Sequence, residues 1–242
     1  MRAMLIRHAI CLLLFLSLPS HAARLPGKLS LSDLNVVVET VGGGATTKLL
    51  RSAEIYPLFP GLRLAMEIAV VPTVALNELG NQLGSLPTVT PIPRFSVTKG
   101  LFDPVELSIS LAPVSFGNGI LTWGGLLKIG LLDEAENEVQ VSGLLSFTTI
   151  SAFSDDYSGR NVELGAVLSK DLVRIKPYFG LGILFAKGSV NPNLSATIIS
   201  EVNKNLFHAF GGVEFNLPVD LGIQVDWCHS KIAGAFFFGK KF

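Results

Sequence analysis

The chain has 242 residues, with 19 Lys and Arg against 19 Asp and Glu, and 49 % of its residues are hydrophobic. No basic surplus points to nucleic acid, and no block of like charge points to a disordered tail. Of its two cysteines, Cys11 and Cys228, only Cys228 lies outside the leader described next, which excludes an internal disulfide in the mature chain.

Arg2 and Arg7 precede the apolar stretch ICLLLFLSL, and Ser20-His21-Ala22 supplies small residues three and one before a cut. This is the pattern of a secretory signal peptide over 1–22, with cleavage between Ala22 and Ala23. The apolar run is too short for a membrane-spanning helix, which needs roughly 20 residues. Losing the leader removes two arginines and no acid, so the mature chain stays close to neutral.

Residues 23–60 read two ways. Leu31, Leu34, Val38 and Val41 have helical spacing after a possible Ser32 or Asp33 cap, whereas Val36-Val37-Val38 is β-branched and favours a strand. Gly42-Gly43-Gly44 is expected to break whatever precedes it. The segment is therefore a periplasmic or plug-like piece, or it supplies two additional strands.

From Leu62 onward, apolar residues fall on every second position in about ten segments, the period of a strand with two different faces. VELSISL sets Val105, Leu107, Ile109 and Leu111 against Glu106, Ser108 and Ser110. VDLGIQVDW sets Val219, Leu221, Ile223, Val225 and Trp227 against Asp220, Gln224 and Asp226. Over all segments the polar face carries Arg63, Glu67, Arg94, Glu106, Lys128, Glu163, Arg174, Lys176, Glu214, Asp220 and Asp226. Six glycines, Gly124, Gly130, Gly165, Gly180, Gly182 and Gly222, share that face, and small residues suit a narrow, filled lumen. Alternate connections are short, while the stretches Thr73–Pro91, Ser151–Ser158 and Lys187–Asn205 are longer and read as loops.

The chain closes on AGAFFFGKKF, where Phe236, Phe238 and Phe242 share the apolar face. The leader, the alternating body and this aromatic terminus together resemble the bacterial outer-membrane β-barrels. The resemblance is to the class and to no single activity. It implies an all-β, antiparallel up-and-down transmembrane barrel of about 10 strands over 61–242, with 8 or 12 possible, lying in the outer membrane after export. It also implies that Phe236, Phe238 and Phe242 form the signature read by the barrel-assembly machinery, with Lys240 a departure from the usual apolar residue. Periplasmic chaperones, outer-membrane lipid and lipopolysaccharide are the partners implied. A soluble periplasmic barrel binding a hydrophobic ligand is the alternative fold; its apolar face would point inward.

The residues name no catalytic group, cofactor or metal ligand. His208 and His229 are the mature histidines, and His229 beside Ser230 is the one place for a lipid hydrolase. Asp155 and Asp156 offer two neighbouring acids in a loop, and Gly42-Gly43-Gly44 lacks the Lys-Ser/Thr ending of a phosphate-binding loop. The functional expectation is a non-enzymatic barrel, structural or a narrow passive conduit with paired lumen charges. The alternatives are a surface-loop binding or adhesion protein and a lipid-directed enzyme.

Overall fold

A computed structural model describes residues 24–59, 61–80, 86–112, 120–132, 139–196, 200–215, 217 and 219–242. The leader and its cut at Ala22 and Ala23 lie outside the described residues. Ten antiparallel strands form a closed barrel: β1 Leu62–Pro72, β2 Val89–Phe102, β3 Val105–Ala112, β4 Leu121–Leu132, β5 Gln140–Ala152, β6 Tyr157–Ser169, β7 Ile175–Val190, β8 Glu201–Phe215, β9 Asp220–Cys228 and β10 Lys231–Lys241. Each strand pairs with the next, and β10 returns to β1 from Arg63 opposite Lys241 to Val70 opposite Gly234.

The alternation in the sequence decides which face is which. In β9, Asp220, Gly222, Gln224, Asp226 and Cys228 are buried, while Leu221, Ile223, Val225 and Trp227 are exposed. The same division runs round the barrel: the outer surface is a belt of Leu, Ile, Val, Phe and Trp, including Phe236, Phe238 and Phe242. An apolar surface of this extent is the lipid-facing band of a membrane barrel, and a soluble barrel has the reverse orientation. Register partners followed from Leu62 at the start of β1 through Lys99, Leu107, Leu127, Leu145, Leu164 and Ile183 end at Phe207, whose carbonyl accepts from His229 beyond the far end of β9. The strands are therefore staggered and tilted, as closure requires.

Two sequence readings are corrected. Arg174 does not face the lumen: it is exposed in the turn between β6 and β7, beside Val173 at φ +70°. Leu172 N–H donates to Ile175 O and Val173 N–H to Asp171 Oδ1, so the turn is closed by local bonds that strand alternation could not register. The stretches read as loops at Ser151–Ser158 and Lys187–Asn205 are strand at both ends, and only 153–156 and 191–200 lie outside the strands. Ser151 pairs with Ser158, and Lys187 with Asn203. Their Ser, Asn and Gly residues continue the ladders, because main-chain pairing needs no apolar side chain.

Residues 24–59 add no strand to the barrel. Helix α1, Leu31–Val37, continues through a π-turn at Val38–Gly42 into a short helical turn at Gly43–Ala45. Ser30 starts it with a capping box: Asp33 N–H donates to Ser30 Oγ, and Ser30 N–H donates to Asp33 Oδ2. The β-branched preference of Val36-Val37-Val38 is overridden by burial of Leu34, Val37, Val38 and Val41 against the inner wall. Gly42-Gly43-Gly44 does not break the helical stretch 31–45 but lies within it. A Cβ on Gly43 would sit 2.8 Å from Cys228 Sγ, and one on Gly44 would overlap Val71. Close approach to the wall, not chain reversal, is what these glycines permit.

Candidate functional site

The lumen is where the polar chemistry collects, and its contents are residues of the same chain. Residues 24–29 lie at the long-loop end, where Leu29 N–H donates to Leu194 O and Ala196 N–H to Leu29 O. From there the helical stretch 31–45 enters the barrel, and residues 46–56 run on toward the short-turn end, where β1 begins. The segment thus traverses the barrel before the first strand is built.

Below Ala45 the segment has no secondary structure of its own. Its main-chain groups must find other partners, since a buried amide or carbonyl left alone costs about 1–3 kcal/mol. The inward side chains provide them. Thr47 N–H donates to Thr148 Oγ1 (2.9 Å), Leu50 N–H to Gln224 Oε1 (3.0 Å), Ser52 N–H to Glu214 Oε2 (3.1 Å), Ala53 N–H to Ser169 Oγ (2.9 Å) and Tyr56 N–H to Glu106 Oε2 (3.1 Å). The carbonyls are served from the wall as well. Arg94 donates to Ala45 and Thr46, Lys128 to Ser52 and Glu54, Ser142 to Ala53 (2.6 Å), and Asn161 to Gly42 (2.7 Å).

Charge is matched in the same way. Lys48 pairs with Asp226 at 3.4 Å, and Arg51 pairs with Glu106, which also faces Lys128 at 3.6 Å. Glu54 meets Lys176 at 2.7 Å. Within the wall, Arg63 faces Asp220 at 3.3 Å, and Lys241 lies 3.3 Å from Glu214 and 3.8 Å from Asp220. His208 is held between Glu163 (2.5 Å) and Asp226 (3.0 Å). Lys48, Glu106, Lys128 and Asp226 are essentially sealed from solvent, so each would be costly without its partner. An apolar patch of Leu49 and Ala53 against Leu126, Leu144, Val167, Tyr178 and Phe210 fills the space between the charges.

Of the charges assigned to the lumen from sequence, Arg63, Glu67, Arg94, Glu106, Lys128, Glu163, Lys176, Glu214, Asp220 and Asp226 are buried on the inner face. Glu67 accepts from Ser96 Oγ at 2.6 Å. Their partners Lys48, Arg51 and Glu54 were not singled out from sequence, and neither were Gln224, Ser142 and Ser169 as ligands for main chain. The signal was there in part: ATTKLLRSAE brings two cations and an acid, which a lumen of mixed charge can match only if the segment is inside it.

Outside the lumen, Asp171 accepts from Val173 N–H and lies 2.9 Å from Lys176. Desolvation pushes its carboxyl up, but the Lys176 ammonium and the Val173 amide outweigh this and hold it below the usual carboxylate range. Asp156, at the other end, is pushed up by desolvation against the opposing Leu25 amide and Arg24 charge. His229 sits exposed in the two-residue turn between β9 and β10 at φ +55°, with its N–H bonded to Phe207 O. Among the described residues no group of three His, Cys, Asp or Glu could hold a metal ion.

No protein-family model and no curated protein matches the chain. Its fold is similar to those of solved outer-membrane barrels. The translocator domain of the autotransporter NalP from Neisseria meningitidis is 9 % identical, with 87 % of this chain and 97 % of that one covered at a TM-score of 0.44. The Acinetobacter baumannii outer membrane protein Omp33 is 9 % identical over 75 % and 98 %, at 0.32. Ail, the attachment invasion locus protein of Yersinia pestis, is 12 % identical over 74 % and 95 %, at 0.29. The likeness is one of fold.

Proposed function

We propose that this chain is a non-enzymatic outer-membrane barrel closed by its own N-terminal segment, a structural element of the membrane and not an open conduit. The short-turn end, with Phe242, then faces the periplasm and the loops face out, in the orientation usual for such barrels. Outer-membrane lipid and lipopolysaccharide surround the apolar belt, and the barrel-assembly machinery and periplasmic chaperones deliver the chain to it. The observation that carries the reading is the series of wall side chains bonded along residues 42–56, from Asn161 on Gly42 O to Glu106 on Tyr56 N–H. A solute path would have to displace a segment held by buried ion pairs at Asp226, Glu106 and Lys176.

Conductance in a planar bilayer tests this. Refolded mature protein is expected to be silent, and protein lacking residues 31–56 is expected to give channel steps. Steps from the full-length chain at the same frequency would overturn the closed reading. Migration that changes on boiling in detergent is the first check that either protein is a folded barrel.

One observation favours a second role at the cell surface. The bridge of Leu29 to Ser195 ties the N-terminal residues to the first part of the β7–β8 connection. Replacing residues 191–200 with a two-residue turn would abolish surface binding in that reading and leave it unchanged otherwise.

A further inference from the structure

The closing seam of the barrel is incomplete at its long-loop end. On one side β1 stays in register with β2 as far as Pro72, opposite Val89. On the other, β10 stays in register with β9 as far as Lys231, opposite Cys228. Between β1 and β10 the register stops earlier, at Val70 and Gly234. The next places along the seam belong to Val71 with Ala233, then Pro72 with Ile232. Proline has no amide hydrogen to give to a ladder, which suits a seam that opens here.

A cavity of about 230 Å³ occupies this gap. Its inner wall is Gly43 and Gly44 of the helical stretch with Cys228, and Val71 and Ala233 flank the opening. Pro72 and Ile232 line it too, although both belong to the lipid face, where Ile232 is 63 % exposed. The cavity is thus bounded by residues of both faces of the wall. A Cβ at position 43 or 44 would run into Cys228 or Val71, so the glycines let the helical stretch come close enough to form this side of the cavity.

Polar groups gather on one side of it. Ser230 comes from the β9–β10 turn and Lys231 opens β10 at the rim, and Thr40 lies one turn earlier in the helical stretch. The Thr40 hydroxyl is buried without a hydrogen-bond partner among the described residues. A buried hydroxyl in want of a partner, a cation at the rim and an apolar floor open to lipid describe a site for an amphiphile.

We propose that this cavity binds one acyl chain carrying an anionic head, entering between Pro72 and Ile232, with the head toward Thr40 and Lys231. An apolar cavity of about 150 Å³ already takes a benzene-sized guest, so the space suits a length of hydrocarbon chain. The site rests on the closed-lumen reading to the extent that residues 40–44 form its inner wall.

Cys228, the sole mature cysteine, reports on the cavity directly. The probe is dodecanoate, added to refolded mature protein in a non-ionic detergent, and the readout is the rate of Cys228 alkylation by N-ethylmaleimide. At ten times the half-protecting concentration, alkylation is expected to slow roughly tenfold. Lys231→Ala, a change at a half-buried side chain at the start of β10, should raise the half-protecting concentration of dodecanoate about two- to fivefold and leave that of dodecanol unchanged. Ala233→Leu fills the cavity and should make the rate slow and insensitive to either compound. A parallel arm places the protein in vesicles with and without phosphatidylglycerol. Protection by the vesicle lipid alone assigns the chain to a membrane lipid, and protection by dodecanoate assigns it to a free fatty acid. Alkylation unaltered in both arms, or a Cys228 that never reacts while the protein stays folded, overturns the proposal. Bilayer conductance of the same preparation keeps this outcome separate from failure of the closed lumen, because a conducting full-length protein would fault that reading first.

Discussion

The two halves of the N-terminal segment are held by opposite means. Residues 31–45 satisfy most of their main chain as a helix, so the wall chiefly has to fit them, packing Val71, Cys228 and Leu184 in one cluster with Leu34, Val37 and Val41, and bonds only the late carbonyls of Gly42 and Ala45. Residues 46–56 leave their main chain open, and the wall must bond it group by group through Thr148, Gln224, Glu214, Ser169, Ser142 and Glu106. Arg94 marks the junction, reaching the carbonyls of Ala45 and Thr46. The contrast teaches that a polar lumen need not be an aqueous one: its hydroxyls, amides and charges serve as the missing strand partner of a chain that has none.

The largest expected effect comes from breaking the extended half at its most loaded group. Glu106→Ala leaves Arg51 and Lys128 without their shared buried counter-charge and Tyr56 N–H without an acceptor. A loss of about 3–5 kcal/mol is expected from the urea midpoint of the refolded barrel. A loss no greater than that of a surface substitution would mean that the ion pairs do not hold the segment.

Steric strain is the way to break the helical half. Gly44→Val should cost about 1–3 kcal/mol by overlap with Val71, and Val71→Ala in the same chain should recover most of it. A double-mutant cycle between these two positions reads the coupling, while Gly44 and Glu106 should be additive. Strong coupling between Gly44 and Glu106 would instead mean that the two halves act as one unit.

Smaller still is the loss of one neutral bond. Ser142→Ala removes the donor to Ala53 O and is expected to cost about 1 kcal/mol. Proteolysis of the segment should be little changed, whereas Glu106→Ala should expose it.

The mildest change concerns the turn below the segment. Asp171 has its carboxyl lowered beside Lys176. Its contribution is therefore full above the ordinary carboxylate value of about 4 and is lost as the pH falls through the lower native value. Asp171→Asn should flatten that part of the profile of urea midpoint against pH, and an unaltered acid limb would remove Asp171 from the contact that anchors Lys176 beside Glu54.

Much of this molecule was legible in residue order. A strand in a two-faced wall must alternate, so Val105 to Leu111 and Val219 to Trp227 announce their faces without reference to any neighbour. The inward set from Arg63 to Asp226 followed from the same count. Arg174 was misplaced because the count was carried two residues too far, back to Val173, into a turn closed by Asp171 and by a left-handed Val173. Loop boundaries were misplaced because polar alternation outside the apolar belt looks like loop.

The path of residues 24–59 was not legible, for a physical reason. Helical spacing and β-branching in that segment are both local and nearly balanced, so neither decides the outcome. What decides it is complementarity: Gly43 and Gly44 meet a wall that would refuse a side chain, and the open main chain of 46–56 meets side chains from β3, β5, β6, β8 and β9. Those partners lie 50 to 174 residues away in the chain and come together only when β10 closes on β1. Period-two hydropathy is a property of consecutive residues, and it determined that this protein is built of strands with one apolar and one polar face. What fills the lumen, and where its seam stays open, is a property of the closed wall, and only the tertiary structure decided it.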